Sequence, residues 1–365
     1  MKIGLKVILG IMCFLALVGN SFSQVIMDRK FLTGDIPDVV EFNYKPELRV
    51  WWSRIAQCQL RYNFEKLKEN GLYKINPKEA ALLEQKIMQA LEISIQNKAN
   101  VVIFPELILA FEDTARKKIV EILVQKAKEH EMIVICGSFY DSERKNRSVV
   151  ITPYGELNGD KIRPSRIETN PLNGYGMKTG EKVAYLKTKY GNIIVVTCAD
   201  LISDDVQYII RKMSNLGILD ICVNINYNPA SWEFMREASS IVKRHPLFFT
   251  ITNSANPKDS TNDDGYSYGN TSVFASIHKE NTEYIVPNEL SPFSICQSLD
   301  ESGRINCKRH PAYEMLIANI PPDKEGILLY DLNLRLIRTP NETNAPDQGY
   351  PTVRNIRMIL MPTKK

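Results

Sequence analysis

The sequence predicts an α/β protein in which helices cover sheets, and three observations carry that reading. Short apolar runs of strand length alternate with longer stretches of helical periodicity along most of the chain. The 365 residues suffice for one large α/β domain or two small ones. With 44% hydrophobic and 24% charged residues, the chain has an ordinary globular composition, without signs of disorder, repeats or a fibrous structure.

The chain opens on a basic hexapeptide containing Lys2 and Lys6, followed by an almost purely apolar stretch at 7–18. Small residues, Ser21 and Ser23, stand at −3 and −1 of a cut before Gln24. This is the layout of a secretory signal peptide over 1–23, and it predicts a secreted or periplasmic protein. The apolar run is shorter than the roughly 20 residues that span a bilayer; an uncleaved anchor is the alternative. Residues 24–47 read as a mixed lead-in wrapped on the surface, and 48–365 as the main domain.

Within that domain the first strand is expected at 50–60. A helix follows with Asn76 as N-cap, Pro77 at its first position and Glu79 at its third. Its residues Leu83, Ile87, Leu91 and Ile95 form one apolar stripe. The pattern then predicts a strand at 101–104, a helix at 114–130 with Ile119, Leu123 and Ala127 on one face, and a strand at 132–136. A strand at 149–152 ends in the turn Pro153-Tyr154-Gly155. Strands at 192–197, 218–224 and 247–252 are separated by helices at 204–213 and 231–244. Residues 279–325 are rich in Pro, Ser and Asn and read as an insertion, lid or edge decoration. A strand–turn signal returns at 326–335, and the tail is extended.

Composition excludes several functions. The formal net charge of +4 is small and dispersed, and part of it lies in the leader, so nucleic acid is not an expected partner. The four histidines have no ligand spacing, the cysteines form no C-x-x-C pair and no glycine-rich phosphate loop is present; neither a metal nor a cofactor is expected. Of the seven cysteines, Cys13 lies in the leader, while Cys58, Cys136 and Cys222 sit in apolar runs as small buried hydrophobes. Cys296 and Cys307 flank a polar segment; in an oxidising compartment they either close a disulfide loop or stay free.

Three positions stand just beyond strands, where an α/β sheet delivers side chains into a crevice. In Phe104-Pro105-Glu106 a proline stops an apolar strand and a carboxylate follows; alone, this also reads as a helix-start glutamate. In the segment 159–168, Lys161 precedes Glu168 by seven residues; alone, this reads as a solvated charged loop. Cys198 caps the strand 192–197 and is followed by the small Ala199, so a sharp turn there would expose the sulfur and aim the next N–H at a reacting oxygen.

Together and in this order, F-P-E at 104–106, K-I-R-P-S-R-I-E at 161–168 and C-A-D at 198–200 resemble the nitrilase (carbon–nitrogen hydrolase) superfamily. Flanking segments agree, among them 146–155, Lys178-Thr179-Gly180-Glu181, 232–244, Asn253-Ser254-Ala255 and Gly269-Asn270-Thr271-Ser272. The similarity covers roughly 48–278 and 326–354. It implies a four-layer α-β-β-α sandwich that pairs through its helices into a homodimer or larger homo-oligomer.

The resemblance also implies a chemistry. Cys198 would attack an amide-like carbon, Glu106 would act as general base and acid, and Lys161 with the Ala199 N–H would stabilise the oxyanion. Glu168 would position Lys161 or the substrate. The expected substrate is a small linear amide or carbamoyl-amine rather than a nitrile, because the family's C-W-E signature is absent. Ala199 replaces the larger residue common after the nucleophile, and the arginine of C-Y-D-x-R amidases is missing. The alternatives are an N-acyltransferase on the same scaffold and a non-catalytic secreted binding protein.

Overall fold

Side chains alternate across each strand, so a strand covered on both faces is apolar throughout. The run Ile193 to Val196 is such a strand: Ile193 and Val195 join one hydrophobic cluster, and Ile194 and Val196 join another. This doubling recurs through the molecule and produces its layers. The computed structural model describes residues 25–26, 37–66, 72–165, 168–170, 175–255, 268–275, 315–334 and 353–361.

Among these residues the strands form two large sheets. The seven-stranded sheet runs β19 (Val353–Leu360), β18 (Gly326–Asn333), β3 (Trp52–Gln59), β6 (Val101–Ile103), β7 (Ile133–Tyr140), β8 (Asn146–Thr152), β9 (Gly155–Asp160). The eight-stranded sheet runs β1 (Val25–Ile26), β2 (Asp38–Tyr44), β12 (Lys182–Thr188), β13 (Gly191–Thr197), β14 (Ile221–Asn226), β15 (Phe248–Asn253), β16 (Ser272–Phe274), β17 (Leu316–Asn319). Two small hairpins, β4 (Phe64–Lys66) with β5 (Tyr73–Ile75) and β10 (Thr169–Asn170) with β11 (Tyr175–Gly176), lie outside them.

Each large sheet has a parallel heart built the same way. In one, α1 (Pro77–Gln96) joins β3 to β6 and α2 (Asp113–Glu129) joins β6 to β7. In the other, α3 (Asp204–Asn215) joins β13 to β14 and α4 (Ser231–Arg244) joins β14 to β15. A central core of residues from both sheets, such as Ile103, Ile135, Val195 and Val223, packs them face to face. Leu83, Ile87 and Leu91 of α1, with Ile119, Leu123 and Ala127 of α2, cover the outside of one sheet. Val206, Ile209 and Ile210 of α3, with Phe234, Ala238 and Val242 of α4, cover the other. The architecture is the four-layer α-β-β-α sandwich.

The N-cap of α1 is as its sequence dictates: Asn76 Oδ1 accepts from Lys78 N at 3.0 Å, with Pro77 next in line. Three expectations need correction. Part of the lead-in 24–47 is not surface wrapping, because β2 pairs with β12 inside the eight-stranded sheet and buries Val39, Val40, Phe42 and Tyr44. The insertion 279–325 does not extend to its expected end, because β17 pairs with β16 in the same sheet. The strand expected at 218–224 starts and ends later, at Ile221–Asn226, since its terminal asparagines still ladder with their neighbours. The leader 1–23, Cys13, Cys296, Cys307 and most of the insertion lie outside the described residues. Among those described, no helix is long and apolar enough to cross a membrane.

Candidate active site

The carboxyl ends of the parallel strands of both sheets converge, and the chemistry-bearing residues sit there. Beyond β6, Glu106 N donates to Asn226 O of the opposite sheet at 3.3 Å, and Leu107, at φ +58°, donates its N–H to Ser138 Oγ at 2.9 Å. Gly137, at φ +80°, makes this turn feasible, since a Cβ there would lie 2.2 Å from Pro105 O. Tyr62 OH fixes the carbonyl of Glu106 at 2.6 Å.

Lys161 follows β9. Its N–H donates to Asn146 O at 2.8 Å, and its carbonyl accepts from Gly180 N at 3.0 Å. The ammonium is fully enclosed and donates to Glu106 Oε1 at 2.8 Å and to Glu168 Oε2 at 2.6 Å. Asn146 Nδ2 bridges the same two carboxylates, reaching Glu106 Oε1 at 2.9 Å and Glu168 Oε1 at 3.3 Å. Tyr227 N donates to Glu106 Oε2 at 2.9 Å. Glu168 is further held by Tyr140 OH at 2.8 Å and by Ser165 N and Oγ, both at 2.9 Å.

Cys198 stands at the first position after β13 with φ +48°, a left-handed backbone that a side chain makes costly. Asp200 pins this elbow. Its Oδ2 accepts from Thr197 N at 3.2 Å, and its Oδ1 accepts from Ile162 N at 2.9 Å and Arg163 N at 2.8 Å, the two residues after Lys161. One buried carboxylate therefore ties the cysteine turn to the lysine loop. Ala199, half-buried, continues the short helical turn Cys198–Ile202. The sulfur accepts from Asn228 Nδ2 at 3.6 Å.

The electrostatics separate two carboxylates that share one cation. Burial raises Glu106 above the ordinary carboxylate range, against the pull of Lys161. Burial acts in the same sense on Glu168, but the Lys161 ammonium, Ser165 and Tyr140 outweigh it and hold that carboxyl low. Burial opposes the charge on Lys161, yet Cys198, Glu106 and Glu168 keep it protonated. Burial, then the Glu106 carboxylate, pushes the Cys198 thiol up, while Lys161 and Asn228 pull it down. Burial pushes Asp200 up to about 7 in spite of its three N–H donors and Lys161.

The structure thus brings Glu106, Lys161 and Glu168 into direct contact and sets Cys198 and Ala199 beside them. Cys58, Cys136 and Cys222 are buried in β3, β7 and β14, and burial raises each of their thiols. Among the described residues, no three His, Cys, Asp or Glu side chains group as metal ligands. Tyr140, the Tyr227 N–H and Asn228 were not singled out from sequence, and Asn146 and Asn253 were noted only as members of family-like flanking segments. One signal was there to find. Asn224, Asn226 and Asn228 recur every second residue at the end of an apolar strand, which puts three amides on one face.

The carbon–nitrogen hydrolase family model matches residues 54–277, and the chain belongs to that family. No curated protein matches the chain in sequence. Among solved structures, an amidase from Nesterenkonia sp. AN1, in a mutant with the acetamide moiety of fluoroacetamide covalently added at its active-site cysteine, is 11% identical with a TM-score of 0.51, covering 80% of this chain and 94% of that one. Glutamine-dependent NAD+ synthetase from Acinetobacter baumannii is 13% identical with a TM-score of 0.50; it covers 78% of this chain, which spans only 46% of the synthetase. XC1258 from Xanthomonas campestris, a CN-hydrolase superfamily protein with an arsenic adduct in its active site, is 15% identical with a TM-score of 0.47, covering 62% and 83%. At these identities the likeness concerns the fold. Family and fold together define an enzyme of the C–N hydrolase class.

Proposed function

We propose that the protein hydrolyses a linear amide or carbamoyl-amine through a thioester on Cys198. The observation that carries this reading is the pair of buried carboxylates on one ammonium, one raised and one lowered, beside a thiol held at a strand-end elbow. Glu106, with its raised pKa, takes the Sγ proton as sulfur attacks the carbonyl carbon, and the C=O electron pair moves to oxygen. Lys161 and the Ala199 N–H stabilise that oxyanion. Glu106 then passes the proton to the leaving nitrogen, the C–N bond breaks and a thioester remains. Water, deprotonated by Glu106, attacks the thioester, and the thiolate leaves and recovers its proton. Glu168, kept ionised, holds Lys161 in place.

The same reading carries a homodimer or larger homo-oligomer, for which Ile202, Tyr208, Leu216 and Trp232, exposed on and beside α3 and α4, offer apolar surface. It also carries export through the leader 1–23. Ammonia release from a panel of amides, carbamoyl-amines and nitriles tests the activity. Cys198→Ala is expected to reduce release to background; activity surviving that change would overturn the mechanism.

A further inference from the structure

Lys161 answers the charge that develops on oxygen. The sulfur also carries negative charge, once when its proton leaves and again when the thioester breaks, and Lys161 is already shared by two carboxylates. Among the described residues, the side chain that hydrogen-bonds the sulfur is that of Asn228, whose Nδ2 donates to Cys198 Sγ at 3.6 Å.

The direction of that amide is fixed by its surroundings. Asn228 Oδ1 accepts from Ala230 N at 2.7 Å, so the oxygen is committed to the backbone and the NH2 faces the sulfur. The Asn228 backbone is gripped on both sides by one side chain: Asn253 Oδ1 accepts from Asn228 N at 3.0 Å, and Asn253 Nδ2 donates to Asn228 O at 2.9 Å. Asn253 Nδ2 also donates to Gly269 O at 3.0 Å and is itself fully buried, which anchors the clamp to the next loop. A donor held this way needs no reorganisation when charge appears in front of it.

We propose that Asn228 is a further catalytic residue, the donor that stabilises the Cys198 thiolate as it forms and as it departs from the thioester. The inference rests on the thioester reading above and assigns it a division of labour. During attack the Sγ–H bond breaks, its proton passes to Glu106, and the developing negative sulfur keeps the Asn228 N–H until the S–C bond forms. During hydrolysis the S–C bond breaks, its electron pair returns to sulfur, and the same N–H receives it. The thiol is pushed up by burial, so a neutral resting sulfur gains from this donor only along the reaction.

The test is the pH dependence of Cys198 alkylation by iodoacetamide in the full chain, which requires no substrate. Two variants separate donation from support. Asn228→Asp keeps the acceptor for Ala230 N and the shape, but puts an oxygen against the sulfur. Asn228→Ala loses both the donor and the acceptor. Donation predicts that Asn228→Asp is slowest, Asn228→Ala intermediate and the wild type fastest at neutral pH. The slowing in Asn228→Ala is expected to be about tenfold, in line with a hydrogen bond to a charged group. The added carboxylate of Asn228→Asp slows the thiol by charge alone, so the deciding variant is Asn228→Ala: if it keeps the wild-type rate and pH profile, the amide does not serve the thiolate and the proposal is overturned. Thermal melting of Asn228→Asp checks that the fold is retained. Because alkylation reads the sulfur alone, failure here is distinguishable from failure of amide hydrolysis in the wild type.

Discussion

The two sheets make unequal contributions to one site. The seven-stranded sheet supplies the ions, Glu106 after β6 and Lys161 after β9, with Asn146 of β8 and Tyr140 of β7 as neutral donors to the carboxylates. The eight-stranded sheet supplies the sulfur and neutral amides: Cys198 after β13, Asn226 in β14, Asn228 just beyond it and Asn253 in β15. One half is held by charge against charge, the other by a strained turn and backbone hydrogen bonds. Three contacts stitch the halves together at the site: Glu106 N to Asn226 O, Tyr227 N to Glu106 Oε2, and Asp200 to the N–H groups of Ile162 and Arg163. The proposed mechanism thereby assigns proton handling and the nucleophile to separate layers, whose alignment depends on how the layers are joined.

The sharpest way to break the ionic half is Lys161→Met. It leaves two buried carboxylates without their cation, and breaking a buried ion pair in this way costs about 3–5 kcal/mol. If Lys161 stabilises the oxyanion as proposed, its loss adds a fall of roughly 10²–10³ in kcat. Urea denaturation and ammonia release measure the two effects, and a variant of wild-type stability would mean that the cation is not holding the carboxylates. The stitch itself is tested by Asp200→Ala, which leaves three N–H groups without their acceptor. A loss of about 1–3 kcal/mol is expected in the same denaturation experiment, together with a lower kcat at similar KM. If kcat is unchanged, the two halves do not need this tie.

The smallest effect is one of pH. In the proposed mechanism Glu106 must be ionised to take the thiol proton, and its folded-state pKa is raised, so activity is expected to fall as pH drops through that raised value. The acid limb of kcat/KM should therefore lie above the value of about 4.3 for a free glutamate. Asn146→Leu removes a donor to the charged form and should move the limb higher still, by about one pH unit or less. A limb at or below the free value would assign the proton to another group.

Much of this was legible in the sequence, for local reasons. The capped, striped helix at Pro77–Gln96 and the amphipathic α4 follow from neighbours within a few residues, while Glu106, Lys161 and Cys198, each just beyond a strand, became readable only together, through the order of their motifs. What escaped is what distance along the chain hides. The Tyr227 N–H meets Glu106 across 121 residues, and Asn253 meets Asn228 across 25. The strand β12 was not anticipated; its pairing with β2, far away in the chain, reveals it. For the same reason β2 passed for a surface lead-in, since its place depends on a partner far along the chain.

The shared ammonium has one more consequence. An amide or carbamoyl-amine arrives neutral at the reacting carbon, and amide hydrolysis yields a carboxylic acid that is ionised at neutral pH. That new anion would sit beside a cation already claimed by Glu106 and Glu168, in surroundings where two carboxylates outnumber one lysine. Like charges at short range in a buried site repel strongly. An arrangement that under the proposed mechanism grips a transient oxyanion thus gives a finished carboxylate little to hold, and the acid should leave readily and inhibit weakly.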